Sequence, residues 1–343
     1  MRARPGAAER HVARIGESEE PVLVVQGLSR TFKSGNGIVR ALSDVDLTIH
    51  RGEIVGLLGL NGAGKTTMLK VISTLLLPTA GNVHIAGVDV VRDTRRARRL
   101  VSVVLGGERG FYNRLSARDN IRFFATLSGV PRRPLNALCD DALERVGLAH
   151  AAERRVETFS KGMKQRLHLA IGMLTTPRLL MLDEPTVGLD PIEARRLRDS
   201  VAALRSTETA VLLTSHYLGD IERLASRVVI LQSGRVTDDL PLEELLERAG
   251  SVAEVTVTGV GPTPDLAALR DSGLQDAGVS LVGVRESGEP GAWRVSFEVK
   301  SWTPDSLRAL AAAWPRSEIL DVHVQPNSLE QVFADLATAR RAR

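Results

Sequence analysis

"GLNGAGKTT", Gly59 to Thr67, is the stretch whose reading decides the fold. Glycines at 59, 62 and 64 followed by Lys65 and Thr66 give the spacing G-x-x-x-x-G-K-[ST]. Upstream, "EIVGLLGL" (Glu53 to Leu60) reads as a short buried strand; downstream, "KTTMLKVISTLLL" reads as a helix running to Pro78. Strand, glycine loop and helix are the context that this spacing requires. Gly59, Asn61, Gly62, Ala63 and Gly64 would bring backbone N–H groups close to phosphate oxygens, and the helix N-terminus at Lys65, Thr66 and Thr67 adds a favourable dipole. Lys65 would reach the β- and γ-phosphates, and the Thr66 hydroxyl would ligate Mg²⁺.

Two further apolar runs end in polar residues. "RLLMLDEP" closes on adjacent carboxylates: Asp183, placed to hold Mg²⁺, and Glu184, which can turn at the strand end toward the nucleotide and polarise a water as general base. "AVLLTSH" closes on His216, read as a γ-phosphate contact. Ligands of open α/β sheets sit at the carboxyl ends of strands, so three strand ends converging on one site form a coherent picture. "FSKGMKQR" (Phe159 to Arg166) starts another helix, where Ser160 and Gly162 offer a hydroxyl and bare N–H groups to an anion. The alternative for Ser160 is a plain helix N-cap.

Composition bounds the rest. The chain has 343 residues, enough for two domains, with 43% apolar and 25% charged content as in ordinary globular proteins. A net charge of +4 is too small to call for nucleic acid or a membrane surface. Cys139 is the only cysteine, which excludes an internal disulfide and a cysteine zinc cluster and fits a reducing compartment. No apolar run approaches the ~18 residues that span a bilayer. Residues 1–20 carry no apolar segment and read as a disordered extension rather than a secretory signal. "RDTRRARRL" (Arg92 to Leu100) reads as a solvated helix.

Strand and helix patterns alternate to about residue 236. Residues 237–250 follow as a linker, with "PLEELLERAG" as its helix. Residues 251–343 then run strand, helix, strand, strand, helix, strand: "SVAEVTVTGV", "TPDLAALRDSG", "VSLVGV", "AWRVSFEV", "TPDSLRALAAAW" and "EILDVHV". This β-α-β-β-α-β order predicts a small α+β, ferredoxin-like domain, closed by "NSLEQVFADLATA". Trp293, Trp302 and Trp314 all fall in it and read as core or dimer contacts.

The ordered set of phosphate loop, "FSKGMKQ", "LLMLDEP", "VGLD" and strand-end histidine resembles the ATP-binding cassette (ABC) ATPases over about residues 22–236. The resemblance implies a phosphate-loop α/β cassette at 21–236 with a helical subdomain at about 106–175, ATP and Mg²⁺ as cofactors, and ATP hydrolysis. It further implies two cassettes packed head to tail, most simply a homodimer, so that Ser160 and Gly162 act on the ATP held by a partner. Asp190 of "VGLD" would relay information between the two sites, and Phe32 of "LSRTFKSG" would stack on adenine. Two positions depart from the family pattern. The signature, usually L-S-G-G-Q, has Phe159, Lys161 and Met163 at three places, and the loop after "LVSVVL" has Gly106 and Gly107 where a glutamine is usual, so that Glu108 or a water takes its place or the contact is missing. That loop and the segment to about residue 160 correspond to the family's docking face for a membrane domain. "GGERGFYNRL", "SKGM" and "NSLEQVF" resemble the exporter branch for drugs, lipids or polysaccharides. The expectation is therefore an ATPase subunit on the cytoplasmic face of the plasma membrane, bound to a separate permease. The alternatives are a non-transport cassette acting on ribosomes or DNA, and a low-turnover regulatory ATP binder.

Overall fold

The computed structural model describes residues 20–34, 37–105, 110–131, 133, 135–215, 217–247, 253–262, 274, 276, 278–286, 292–299, 303–306, 308 and 318–326. The chain forms two compact units, Met1–Leu242 and Glu243–Arg343.

Two sheets build the first unit. One is antiparallel, with order β2 (Gly37–His50), β1 (Pro21–Ser34), β4 (Ala80–Ile85), β5 (Val88–Asp89). Simple alternation of strand and helix did not reveal this second layer. The other has order β10 (Arg235–Pro241), β9 (Arg227–Gln232), β3 (Ile54–Leu58), β8 (Ala210–Thr214), β7 (Leu179–Asp183), β6 (Val101–Leu105). Its strands are parallel from β9 to β6, and β10 runs antiparallel at one edge. The sequences IVGLL, LLMLD and AVLLT are near-continuous apolar runs because parallel strands are covered on both faces.

The helix Lys65–Ile72 lies between the sheets. Met68, Leu69, Val71 and Ile72 are buried in one cluster with Leu23 and Val83 of the antiparallel sheet and Leu57 and Leu212 of the parallel one. The sequence pattern predicts a helix to Leu77, but it ends five residues earlier. Thr74 takes a left-handed φ of 65° and the Leu75 N–H donates to the Lys70 carbonyl at 2.8 Å, a Schellman stop made by a residue other than glycine. Helices Ala117–Leu127, Leu135–Arg145 and Lys161–Met173 pack on one another within the predicted helical segment. Residues 237–241 belong to β10 instead of the expected linker, because they pair with β9; the helix that follows is Leu242–Glu247.

The second unit contains a four-stranded antiparallel sheet, with order β12 (Val279–Glu286), β13 (Ala292–Val299), β11 (Ala253–Val260), β14 (Glu318–Pro326). Trp293 and Phe297 are fully buried and form its core with Val255, Val257, Val295 and Val299. The sequences TPDLAALRDSG and NSLEQVFADLATA, together with Trp302 and Trp314, lie outside the described residues, as do residues 1–19. No helix among the described residues is long and apolar enough to cross a membrane.

Arg227 ties the two sheets of the first unit together. From β9 its guanidinium donates to Glu53 at 2.7 Å, to Asp239 of β10 at 2.6 Å, and to the Thr48 carbonyl of β2. Its side chain is only 9% exposed. Removing one member of a buried ion network strands the others without partners, so Arg227→Met is expected to cost about 3–5 kcal/mol of stability in urea unfolding. A loss below about 1 kcal/mol, the level of a surface pair, would contradict this role.

Candidate functional site

Strand register levels the three ends that matter: Thr214 of β8 is the partner of both Leu57 in β3 and Asp183 in β7. The loop Gly59–Gly64 leaves β3 at this edge. Gly64 stands immediately before the helix with φ 110°, and a Cβ there would come within 2.5 Å of the Ala41 carbonyl oxygen. A Cβ on Gly59 would strike the Leu231 carbonyl. Both positions are therefore restricted to glycine by neighbouring backbone, independently of any ligand. The turn after β9 braces the loop from outside, since the Gly234 N–H donates to the Ala63 carbonyl at 2.9 Å. Asn61, Gly62 and Thr66 remain exposed, and Thr67 is half-buried.

Lys65 is the charged centre of this loop. It is buried, at 8% exposure, and its ammonium is turned back onto the carbonyls of Gly59 and Leu60. Burial pushes its pKa below the usual lysine value; the charges of Glu184 and then Asp183 oppose that shift. The loop lysine and both carboxylates of β7 thus share one electrostatic site.

Thr214 shapes the acidic side. Its hydroxyl donates to Asp183 Oδ1 at 2.6 Å, while the Glu184 N–H donates to its Oγ1 and carbonyl oxygen, each at 3.1 Å. Glu184 takes a left-handed φ of 52°, uncommon for a residue with a side chain. That conformation breaks the alternation of faces that would otherwise send Glu184 away from Asp183, and such backbone strain is typical of functional positions. The oxygens of Asp183 and Thr66 form a hard donor set that fits Mg²⁺, an ion commonly bound by one or two protein groups plus phosphate and water. Such an ion, when bound, would neutralise phosphate charge.

The second helix start differs from the first. Ser160 is exposed and caps helix Lys161–Met173, its Oγ accepting from the Met163 N–H at 3.1 Å. Phe159 is buried at 6%, so the aromatic departure at that place keeps an apolar anchor. Gly162 is packed on Glu193, where a Cβ would meet the glutamate side chain at 2.5 Å. Glu193 in turn pairs with Arg166 at 2.9 Å and with Arg196 at 2.7 Å. Asp190 caps the helix Pro191–Ala202, accepting from the Ile192 and Glu193 N–H groups at 3.0 Å each. Asp190 and Gly162 are therefore joined through Glu193.

Phe32 lies half-buried on β1 with the Arg30 guanidinium 4.6 Å from its ring centroid, a contact sequence reasoning missed. His216, Gly106, Gly107 and Glu108 lie outside the described residues. Thr214 also went unremarked in the sequence; its only signal was a small polar residue two places before the strand-end histidine.

The chain is similar to known proteins. The ABC transporter family profile matches residues 42–187. The ABC transporter ATP-binding protein NatA of Bacillus subtilis (strain 168) is 36% identical over 66% of this chain and 92% of its own length. The doxorubicin resistance ATP-binding protein DrrA of Mycobacterium tuberculosis is 33% identical over 94% of this chain and 95% of its own. A solved ATP-binding subunit of an ABC transporter superposes with a TM-score of 0.59 at 30% identity, covering 67% of this chain and 93% of that one. ATP at ~100 times its dissociation constant should then stabilise the native chain by about 2.7 kcal/mol. Lys65→Met should abolish that gain in a thermal melt while leaving the ligand-free melting temperature unchanged or higher, because it removes a poorly solvated ammonium; retained ATP stabilisation would contradict the site. The chain belongs to the ATP-binding subunits of ABC transporters and is an ATPase.

Proposed function

We propose that the chain powers a separate membrane permease in export, working as a pair of cassettes that close on two ATP molecules. The observation that carries this reading is the division of labour within one chain. The buried Lys65 and the carboxylates at the end of β7 form a half-site for triphosphate, whereas Ser160 sits exposed at the start of another helix. A head-to-tail partner would lay Ser160 and the N–H groups around Gly162 over the γ-phosphate held by Lys65. Asp190, through Glu193, would transmit that closure between the two sites. The Glu184 carboxylate would accept a proton from the water that attacks the γ-phosphorus, the bond from phosphorus to the bridging oxygen would break, and ADP and phosphate would leave. His216 would contact the γ-phosphate, Thr66 and Asp183 would hold Mg²⁺, and Phe32 would stack on adenine.

Export is supported by DrrA, a doxorubicin resistance protein that aligns over 94% of this chain, the second unit included. We assign that unit a ferredoxin-like fold, since its strand order β12-β13-β11-β14 is the one produced by a β-α-β-β-α-β chain. The permease would dock in a groove of about 1050 Å³ between β6 and the helical segment, lined by Leu105, Phe124, Val130, His168 and Ile171 with Arg98 at its end. Docked there, the chain would sit on the cytoplasmic side of the membrane. No observation favours a ribosome- or DNA-associated role.

Glu184→Gln removes the general base and leaves the binding contacts. Turnover should fall by about 10²- to 10⁴-fold, and light scattering should show an ATP-dependent dimer that the ligand-free variant does not form. A variant that remains monomeric with saturating ATP, with and without its permease, would refute the paired mechanism.

A further inference from the structure

Asp220 is the one buried carboxylate among the described residues, at 2% exposure, and three hydrogen bonds meet on it. Its Oδ2 accepts from the Thr186 hydroxyl and, at 3.0 Å, from the Ser215 hydroxyl; its Oδ1 accepts from Arg198 at 2.8 Å. The donors come from separate segments. Thr186 lies two residues beyond Glu184. Ser215 directly precedes His216, and its hydroxyl also accepts from the N–H of Tyr217 at 3.0 Å, so the residues on either side of the histidine are tied to each other and to Asp220. Arg198 projects from the helix that Asp190 caps.

We infer that Asp220 is a positioning residue that locks three segments into one rigid set: the turn after Glu184 through Thr186, the end of β8 before position 216 through Ser215, and the helix capped by Asp190 through Arg198. A buried carboxylate is tolerable only while its donors stay in place. Displacing any one of these segments would leave that charge underbonded, so the three keep a single relative geometry. A carboxylate accepts from all three donors at once and pairs with the Arg198 charge; asparagine, with its oxygen on the guanidinium, would turn its NH₂ to the two hydroxyls, reversing both of those hydrogen bonds and removing the ion pair. The inference rests on the roles proposed for Glu184 and His216. It goes beyond them in naming what holds the general base and the γ-phosphate contact in register.

The test uses the full chain, with ATP turnover followed against ATP concentration. Asp220→Asn, and separately the double variant Thr186→Val/Ser215→Ala, should each lower kcat by at least about fivefold, roughly 1 kcal/mol of barrier. KM for ATP should stay within about twofold, because uniform binding is untouched. Adding Asp220→Asn to the double variant should cost almost nothing more, since both lesions open the same lock. Should Asp220→Asn fail to fold, the double variant, which removes hydroxyls from near-isosteric side chains, decides alone. A double variant with kcat above a fifth of the native value, a KM that rises as far as kcat falls, or fully additive losses would overturn the inference. Glu184→Gln assayed in parallel separates the two readings. Native turnover in it sinks the catalytic assignment itself, whereas an inactive Glu184→Gln beside a normal double variant sinks only the lock.

Discussion

The Lys65 side chain is folded onto its own loop carbonyls, nearly out of water, in the field of Glu184 and Asp183. An ammonium in that position carries a desolvation cost that two nearby carboxylates only partly offset. A triphosphate would supply the matching negative charge and bring the loop's backbone N–H groups into use at the same time. The other features of the cassette serve to keep this place available. Gly59 and Gly64 let the loop pass against the carbonyls of Leu231 and Ala41, and the turn after β9 holds it from outside. The helix behind it is packed between two sheets, so the loop is backed by buried core.

Two kinds of rigidity meet at the strand ends. Backbone register aligns β3, β7 and β8 so that their loops open on one edge. Side chains then set the finer geometry: Thr214 fixes Asp183 and the Glu184 N–H, and Asp220 gathers the loops around them. The signature side is organised independently, around Glu193 and Arg166. Those two buried networks are separate in bonding yet share the helix Pro191–Ala202, since Glu193 and Arg198 both project from it. Motion of that helix would therefore be felt at both halves of the site.

Much of this was legible in the sequence, and the limits have physical causes. The phosphate loop, Asp183 with Glu184, and the Ser160 helix start are local patterns whose spacing alone carries their meaning. The parallel strands were visible as apolar runs. The antiparallel sheet was not set apart, because β1 and β2 alternate like any strands and their partners are chosen by long-range pairing. The early stop of the first helix depends on Thr74 accepting a left-handed backbone, which no propensity announces. The extent of β10 was misjudged because Thr237 to Leu240 look like linker until β9 is beside them. Arg227, Thr214 and Asp220 act largely through partners distant in the chain, up to 179 residues away, so little beside them marks them. Ser160 does what the plain N-cap reading expects, its hydroxyl capping its own helix from an exposed surface.

In the mechanism we propose, each ATP is enclosed by residues of two chains. Mixing two inactive variants tests it most directly. Lys65→Met lacks the phosphate lysine but keeps Ser160, and Ser160→Arg lacks the covering serine but keeps Lys65. Only in a mixed pair does one site combine an intact Lys65 with an intact Ser160. Turnover of the mixture should rise well above the sum of the two variants measured alone; a mixture no more active than that sum would show that ATP is not shared between chains.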